Sequence, residues 1–157
     1  MNYLVDGHNL IPKIPGMSLE AMDDEQHLIE LLQVYCRVRR QTVEVFFDQA
    51  ATGRAGRRQA GVVVAHFVRQ GRTADESIVA RLDQLERAAR NWTVVTSDRR
   101  VQTEARVRLA TVVSSEEFAG ELMSALQDAQ VTRRNAPGKM SDSELDEWLK
   151  LFGGKGK

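Results

Sequence analysis

The sequence predicts an open α/β sheet with helices on both faces. Short apolar segments alternate with longer segments of helical periodicity, and residues 42–47 (TVEVFF) and 92–96 (WTVVT) are apolar almost throughout. Strands separated by helices pair in parallel through right-handed crossovers. A parallel sheet covered on both faces has near-continuously apolar strands.

Each element has its own justification. Residues 2–6 are a short apolar run ending at Asp6-Gly7, a first strand, followed by a loop with Pro12, Pro15 and Gly16. Within 23–39, Leu28, Leu31, Leu32, Tyr35 and Val38 recur at helical spacing. Residues 42–47 are β-branched and aromatic and end at Asp48, a second strand. Residues 50–60 are small, polar and basic, with Gly53 and Gly56, and read as a loop. GVVVAHFV at 61–68 is a third strand, and a crossover to it through 53–59 would be too short for a long helix. Ile78, Val79, Leu82 and Leu85 share one side of a helix over 73–90. The fourth strand is 92–96, a basic helix spans 99–109, a short fifth strand is 111–113, and a helix spans 115–129.

The pattern then changes. Residues 130–140 carry Arg133-Arg134 and Pro137-Gly138-Lys139, a linker composition. Ser141 and Glu144 form a capping box that opens a short amphipathic helix with Leu145, Trp148, Leu149 and Phe152. The expected organisation is one domain over 1–129, then a linker, short helix and tail over 130–157.

Composition narrows the function classes. Of 157 residues, 42% are hydrophobic and 28% charged, a globular rather than disordered profile. Lys+Arg and Asp+Glu both number 22, so a nucleic-acid reading must rest on local patches. Arginine outnumbers lysine 17 to 5. That bias suits phosphate recognition and also follows from a GC-rich genome. Cys36 is the single cysteine, which excludes an internal disulfide and any multi-cysteine zinc site. No apolar run approaches the ~18–20 residues of a membrane span. The opening Met1-Asn2-Tyr3-Leu4-Val5-Asp6 has no basic stretch and does not read as a secretory signal. The expected location is the cytoplasm.

Acids recur where strands end. Asp6, Asp48 and Asp98 close or follow the first, second and fourth strands, and Asp75 lies in the first turn after the third. Ligands of open parallel sheets bind beyond that edge. Converging carboxylates repel one another and resist burial, so such a cluster persists most readily with divalent cations. Oxygen donors favour Mg²⁺ or Mn²⁺ over zinc, and two such ions are a known route to phosphodiester hydrolysis. Each acid also has a structural reading. Thr73 and Glu76 form a capping box beside Asp75, Asp98 suits a helix N-cap, and Asp48 and Asp6-Gly7 suit turns. Ser114 and Glu117 form a further, purely structural capping box. The glycine at 7 permits a sharp turn, after which the Asn9 side chain can reach back to orient Asp6 or a bound water. His8 could contact RNA, move a proton, or be a loop residue without a role.

Between Asp48 and Asp75 there is no acid, but there are Arg54, Arg57, Arg58, Arg69 and Arg72. Beside an acidic centre, such a rim suits a nucleic-acid backbone; the plain alternative is a solvated loop. Tyr3, Phe67, Trp92 and Trp148 fall mostly on buried faces, so base stacking is not advertised.

Four segments in series carry a family resemblance: Val5-Asp6-Gly7-His8-Asn9-Leu10-Ile11, Val45-Phe46-Phe47-Asp48, Thr73-Ala74-Asp75-Glu76-Ser77-Ile78 and Val94-Val95-Thr96-Ser97-Asp98. In order and spacing they resemble the bacterial YacP-like NYN domain, a branch of the PIN-like nucleases, over about residues 1–129. The Pro-Gly-Lys linker and Trp-containing helix are similar too. The resemblance implies a sheet of strand order 3-2-1-4-5 and a Mg²⁺- or Mn²⁺-dependent endoribonuclease, with mRNA on the ribosome as its target. It implies Asp6, Asp75 and Asp98 as metal-binding acids and Asn9 and Asp48 as further catalytic members. Thr96 and Ser97 would be supporting hydroxyls. His8 stands where the family pattern has tyrosine.

Two other classes remain open. One is a non-catalytic RNA- or ribosome-binding module with the same fold. The other is a phosphoacceptor receiver domain, which needs a lysine after the last strand; the first lysine after 113 is Lys139, in the linker.

Overall fold

A computed structural model describes residues 1–17, 23–50, 55–69 and 71–135. Arg54, residues 136–140 of the expected linker and the expected helix at 141–152 lie outside the described residues, while 130–135 of that linker are helical.

The strands are β1 (Asn2–Asp6), β2 (Thr42–Ala50), β3 (Gly56–Ala60), β4 (Val63–Arg69), β5 (Trp92–Val95) and β6 (Thr111–Val113). They form one sheet in the order β3-β4-β2-β1-β5-β6. All neighbours are parallel except β3 and β4. The five expected strands therefore take the expected order, and the sheet gains a sixth at its edge.

The loop expected over 50–60 is corrected where it is described: Ala50 ends β2, and 56–60 form the sixth strand, antiparallel to β4, so that no long helix is needed before β4. β3 descends on the outer side of β4. The chain turns at Gly61, whose φ of 62° suits a tight hairpin, and rises as β4 between β3 and β2. A strand thus does the work of a crossover helix. GRRQA carries no apolar alternation because it is an exposed edge. Charged side chains such as Arg57 and Arg58 suit an edge, since they discourage pairing with other chains.

Helices cover both faces. On one side α2 (Asp24–Arg39) and α5 (Ser115–Asn135) pack on Val5, Val45, Phe47 and Val95 through Leu28, Leu32, Tyr35, Phe118 and Leu122. On the other, α3 (Ala74–Leu85) and α4 (Arg99–Val107) bury Leu4, Phe46 and Val94 under Ile78, Leu82, Val101 and Ala105. α3 stops at Leu85 rather than near 90, where a 3-10 segment takes over, and α5 runs past 129. Part of the expected proline loop is ordered as a short α1 (Gly7–Leu10) and a 3-10 turn with Pro12 near its start. Among the described residues, no helix is long and apolar enough to cross a membrane.

Burial on both faces has one exception. Glu44, in the middle of β2, faces α3. It accepts from Arg81 Nε at 3.0 Å and Nη2 at 2.9 Å, and lies 3.0 Å from His66 Nε2 on β4. Burial opposes its ionisation, but the hydrogen bonds from His66 and Arg81 outweigh that and bring its pKa down to about 2.

Candidate active site

Parallel pairing brings the ends of β1, β2 and β5 to one edge. Asp6 ends β1 opposite Phe46, so its side chain shares the α3 face with Leu4 and Phe46. It is 6% exposed. Its carboxyl is pushed up to about 6 by burial and then by the charge of Asp75, with Asp48 adding to the effect. The backbone amide of Asn9 and the charge of His8 act against it. Asp75 is also held above the usual carboxylate range, by burial and by the charges of Asp98 and Asp48. At one edge, therefore, Asp6 feels the charges of Asp75 and Asp48, and Asp75 those of Asp98 and Asp48. Arg100, at the start of α4, moderates Asp75 from the other side.

The acids also keep structural duties. Asp98 Oδ1 caps α4 by accepting from the amides of Arg100 at 2.9 Å and Val101 at 3.3 Å. Its Oδ2 makes no hydrogen bond among the described residues. Asp75 sits beside the Thr73–Glu76 capping box, both bonds of which form. The Ser114–Glu117 box forms as well.

Asp48 is turned toward His8. The His8 ring lies 2.8 Å from Asp48 Oδ1 through Nδ1 and 2.5 Å from Glu25 Oε2 through Nε2. Only the imidazolium offers a donor on both nitrogens. The hydrogen bond to Glu25, opposed by burial and joined by Asp48, raises the ring above its usual range. His8 thus clamps α2 to the end of β2. Sequence reasoning missed this, because nothing in the spacing of Glu25 points to His8.

Asn9 does not reach back with its side chain. Its backbone amide serves Asp6, while Oδ1 accepts from the Ser97 amide at 2.8 Å and Ser115 Oγ at 2.6 Å. It ties α1 to the two loops that carry Asp98 and open α5. Ser97 Oγ donates to Glu116 at 2.5 Å and accepts from the Ser115 amide at 3.0 Å. Glu116, also paired with Lys13 at 3.1 Å, is a neighbour that sequence reasoning did not single out. Thr96, fully buried, donates toward Asp6 Oδ2 at 3.5 Å and accepts from the Asp98 amide at 3.1 Å, joining the two acids through one hydroxyl.

Close approach, not a left-handed turn, explains the glycine beside Asp6. A Cβ on Gly7 would sit 2.4 Å from Phe47 Cε1 and 3.0 Å from the Phe46 carbonyl oxygen. Gly7→Ala is expected to lower stability by about 1–3 kcal/mol through overpacking. A thermal melt checks it, and an unchanged midpoint would contradict this account.

The arginines divide. Arg57, Arg69 and Arg72 line one groove on the α3 face. Arg58 lies on the α2 face, 4.9 Å over the Phe67 ring and donating to Gln26 at 3.0 Å. A second cleft, of about 380 Å³ between α3 and α4, takes in Asp75 and Arg100.

The donor set is hard oxygen without a nearby thiol, the chemistry of Mg²⁺ or Mn²⁺. The raised carboxyls of Asp6 and Asp75 mark an uncompensated negative edge, which a divalent cation would neutralise. Among the described residues, no three His, Cys, Asp or Glu side chains stand close enough to ligate one ion as they are.

A family model described as the YacP-like NYN domain matches residues 3–151. Two solved structures are similar. Rae1 (YacP) from Bacillus subtilis shares 25% identity with a TM-score of 0.73, over 96% of this chain and 93% of that one. A single-substitution mutant of the same protein shares 27% with a TM-score of 0.72, over 97% and 92%. No curated protein matches. An acid-edged, mainly parallel sheet with this strand order and a family match over nearly the whole chain have one conclusion: the chain belongs to the YacP-like NYN domain family.

Proposed function

We propose that this protein is a Mg²⁺- or Mn²⁺-dependent endoribonuclease. The observation that carries the reading is the set of four aspartates at one sheet edge, with Asp6 buried and its pKa raised to about 6 by burial and by Asp75. A cluster of repelling carboxylates with one member buried is costly to keep unless it serves a cation or a reaction. The family resemblance extends the reading to mRNA as substrate, the ribosome as partner and the cytoplasm as location.

In this reading Asp6, Asp75 and Asp98 would hold the cation. A bound divalent ion lowers the pKa of water and stabilises charge on the leaving oxygen. Thr96 keeps Asp6 and Asp98 in register, and Asn9 anchors the loop that carries Asp98. His8 holds Asp48 at the rim, and Arg57, Arg69 and Arg72 steer the phosphate backbone toward the acids.

The test is cleavage of single-stranded RNA by the purified chain. Products are expected with Mn²⁺ and none after chelation by EDTA, with activity restored by added Mn²⁺. The open spacing of the acids keeps one alternative alive, a non-catalytic RNA- or ribosome-binding module. RNA binding that survives EDTA, with no cleavage of any RNA in Mn²⁺, would select that alternative.

A further inference from the structure

One row of residues crosses the sheet at the level of Asp6. Strand register sets Asp6 on β1 opposite Phe46 on β2, Phe46 opposite His66 on β4, and His66 opposite Arg57 on β3. At ~4.8 Å per strand, the row reaches about 14 Å from the acidic edge. Phe46 and His66 are stacked, with centroids 4.5 Å apart and planes 12° from parallel. Over the outer part of the row lies a groove of about 490 Å³. Arg57, Arg69, Arg72 and Arg81 line it, and among the described residues no acid does.

Arg81 is committed to Glu44. Arg57 donates only to the neutral Gln59, at 3.2 Å, and Arg69 and Arg72 have no ion pair among the described residues. Three guanidinium groups without an ion pair among the described residues, lining one groove with the His66 ring, make a polyanion site. The ring is held in orientation on one side by Phe46 and at Nε2 by Glu44. A solvated loop would not need a histidine fixed in this way.

We propose that this groove holds the flank of a single-stranded RNA a few nucleotides from the bond that is cut. Its phosphates lie on Arg57, Arg69 and Arg72, and one base stacks on His66. Base stacking on a fixed ring beside cations is how single strands are gripped without sequence readout. A duplex is excluded, because its bases are already stacked and do not reach the ring. The assignment of the flanked bond rests on the nuclease reading; the occupancy of the groove does not.

The experiment measures binding of a labelled oligoribonucleotide across a salt series, without divalent metal, so that loss of cleavage and loss of the groove are separable. Double substitution Arg57→Ala/Arg72→Ala should reduce the slope of log affinity against log salt by about 1.4, at ~0.7 per phosphate contact. Arg87→Ala, in the 3-10 segment before β5, should leave it unchanged. His66→Ala should weaken binding roughly tenfold while His66→Phe retains it. An unchanged slope in the double variant overturns the proposal, as does duplex RNA binding as tightly as single strand. Adenosine monophosphate competing at the same concentration as the oligomer would make this a free-nucleotide site and overturn it too. Equal losses in both His66 variants would remove the stacking. If these effects appear but no RNA is ever cleaved in Mn²⁺, the groove stands and the nuclease reading falls.

Discussion

Asp6→Asn is expected to abolish Mn²⁺-dependent RNA cleavage and, at neutral pH, to make the protein more stable. The two effects share a cause. Asp6 is 6% exposed, and its pKa rises from 3.8 to about 6, first by burial and then by Asp75. The folded state therefore binds its proton more tightly than the unfolded state does. As pH rises from about 4 to about 6, ionisation favours unfolding, and above that range the penalty is constant. Roughly two pKa units correspond to about 3 kcal/mol. Asparagine carries no such penalty, so the advantage of the variant should be full above pH 6 and vanish below pH 4. Saturating Mn²⁺ should raise the melting point of the native protein more than that of the variant. Full cleavage by Asp6→Asn would remove the hydrolytic reading, and a melting point lower at pH 7 than at pH 4 relative to the native protein would contradict the electrostatic account.

Glu44→Ala should have the largest effect on stability away from the acidic edge. Glu44 is the acceptor for both Arg81 and His66 between β2 and α3. Its removal leaves a half-buried guanidinium without its counter-charge, and breaking such a pair costs about 3 kcal/mol. A domain of this size should then melt roughly 6–12 °C lower. The sign of its pH dependence is opposite to that of Asp6. The folded pKa of about 2 lies below the ordinary 4.5. The stabilisation is therefore complete above pH 4.5 and is lost as pH falls through 2. Thermal unfolding at pH 7 and at low pH, for both proteins, checks it. An equal difference at both would point to lost packing instead.

These cases show where the sequence was legible. Periodicity and apolar runs located the five parallel strands and four main helices, because burial on both faces imposes them. The acids at strand ends were legible for the same reason, since a parallel sheet turns strand ends into neighbours. β3 was not, because an exposed edge strand has no face to bury and so shows no alternation. Side-chain direction was not legible either. Asn9 spends its amide oxygen on Ser97 and Ser115, and His8 finds Glu25 from another helix. Glu44 was the overlooked sign. A charge within an otherwise apolar strand demands a counter-ion from a packed helix, and Arg81 supplies it.

The position of β1 has a kinetic consequence. It is first in chain order yet central in the sheet, with Asn2 paired to residues 40 and 90 positions away, Thr42 and Trp92. Contacts so distant close slowly, whereas the β3–β4 hairpin and the helices need only neighbours. Refolding should show local structure early and a late step in which the central strand is captured. Substitutions at Leu4 or Val5 are then expected to slow that step rather than the first.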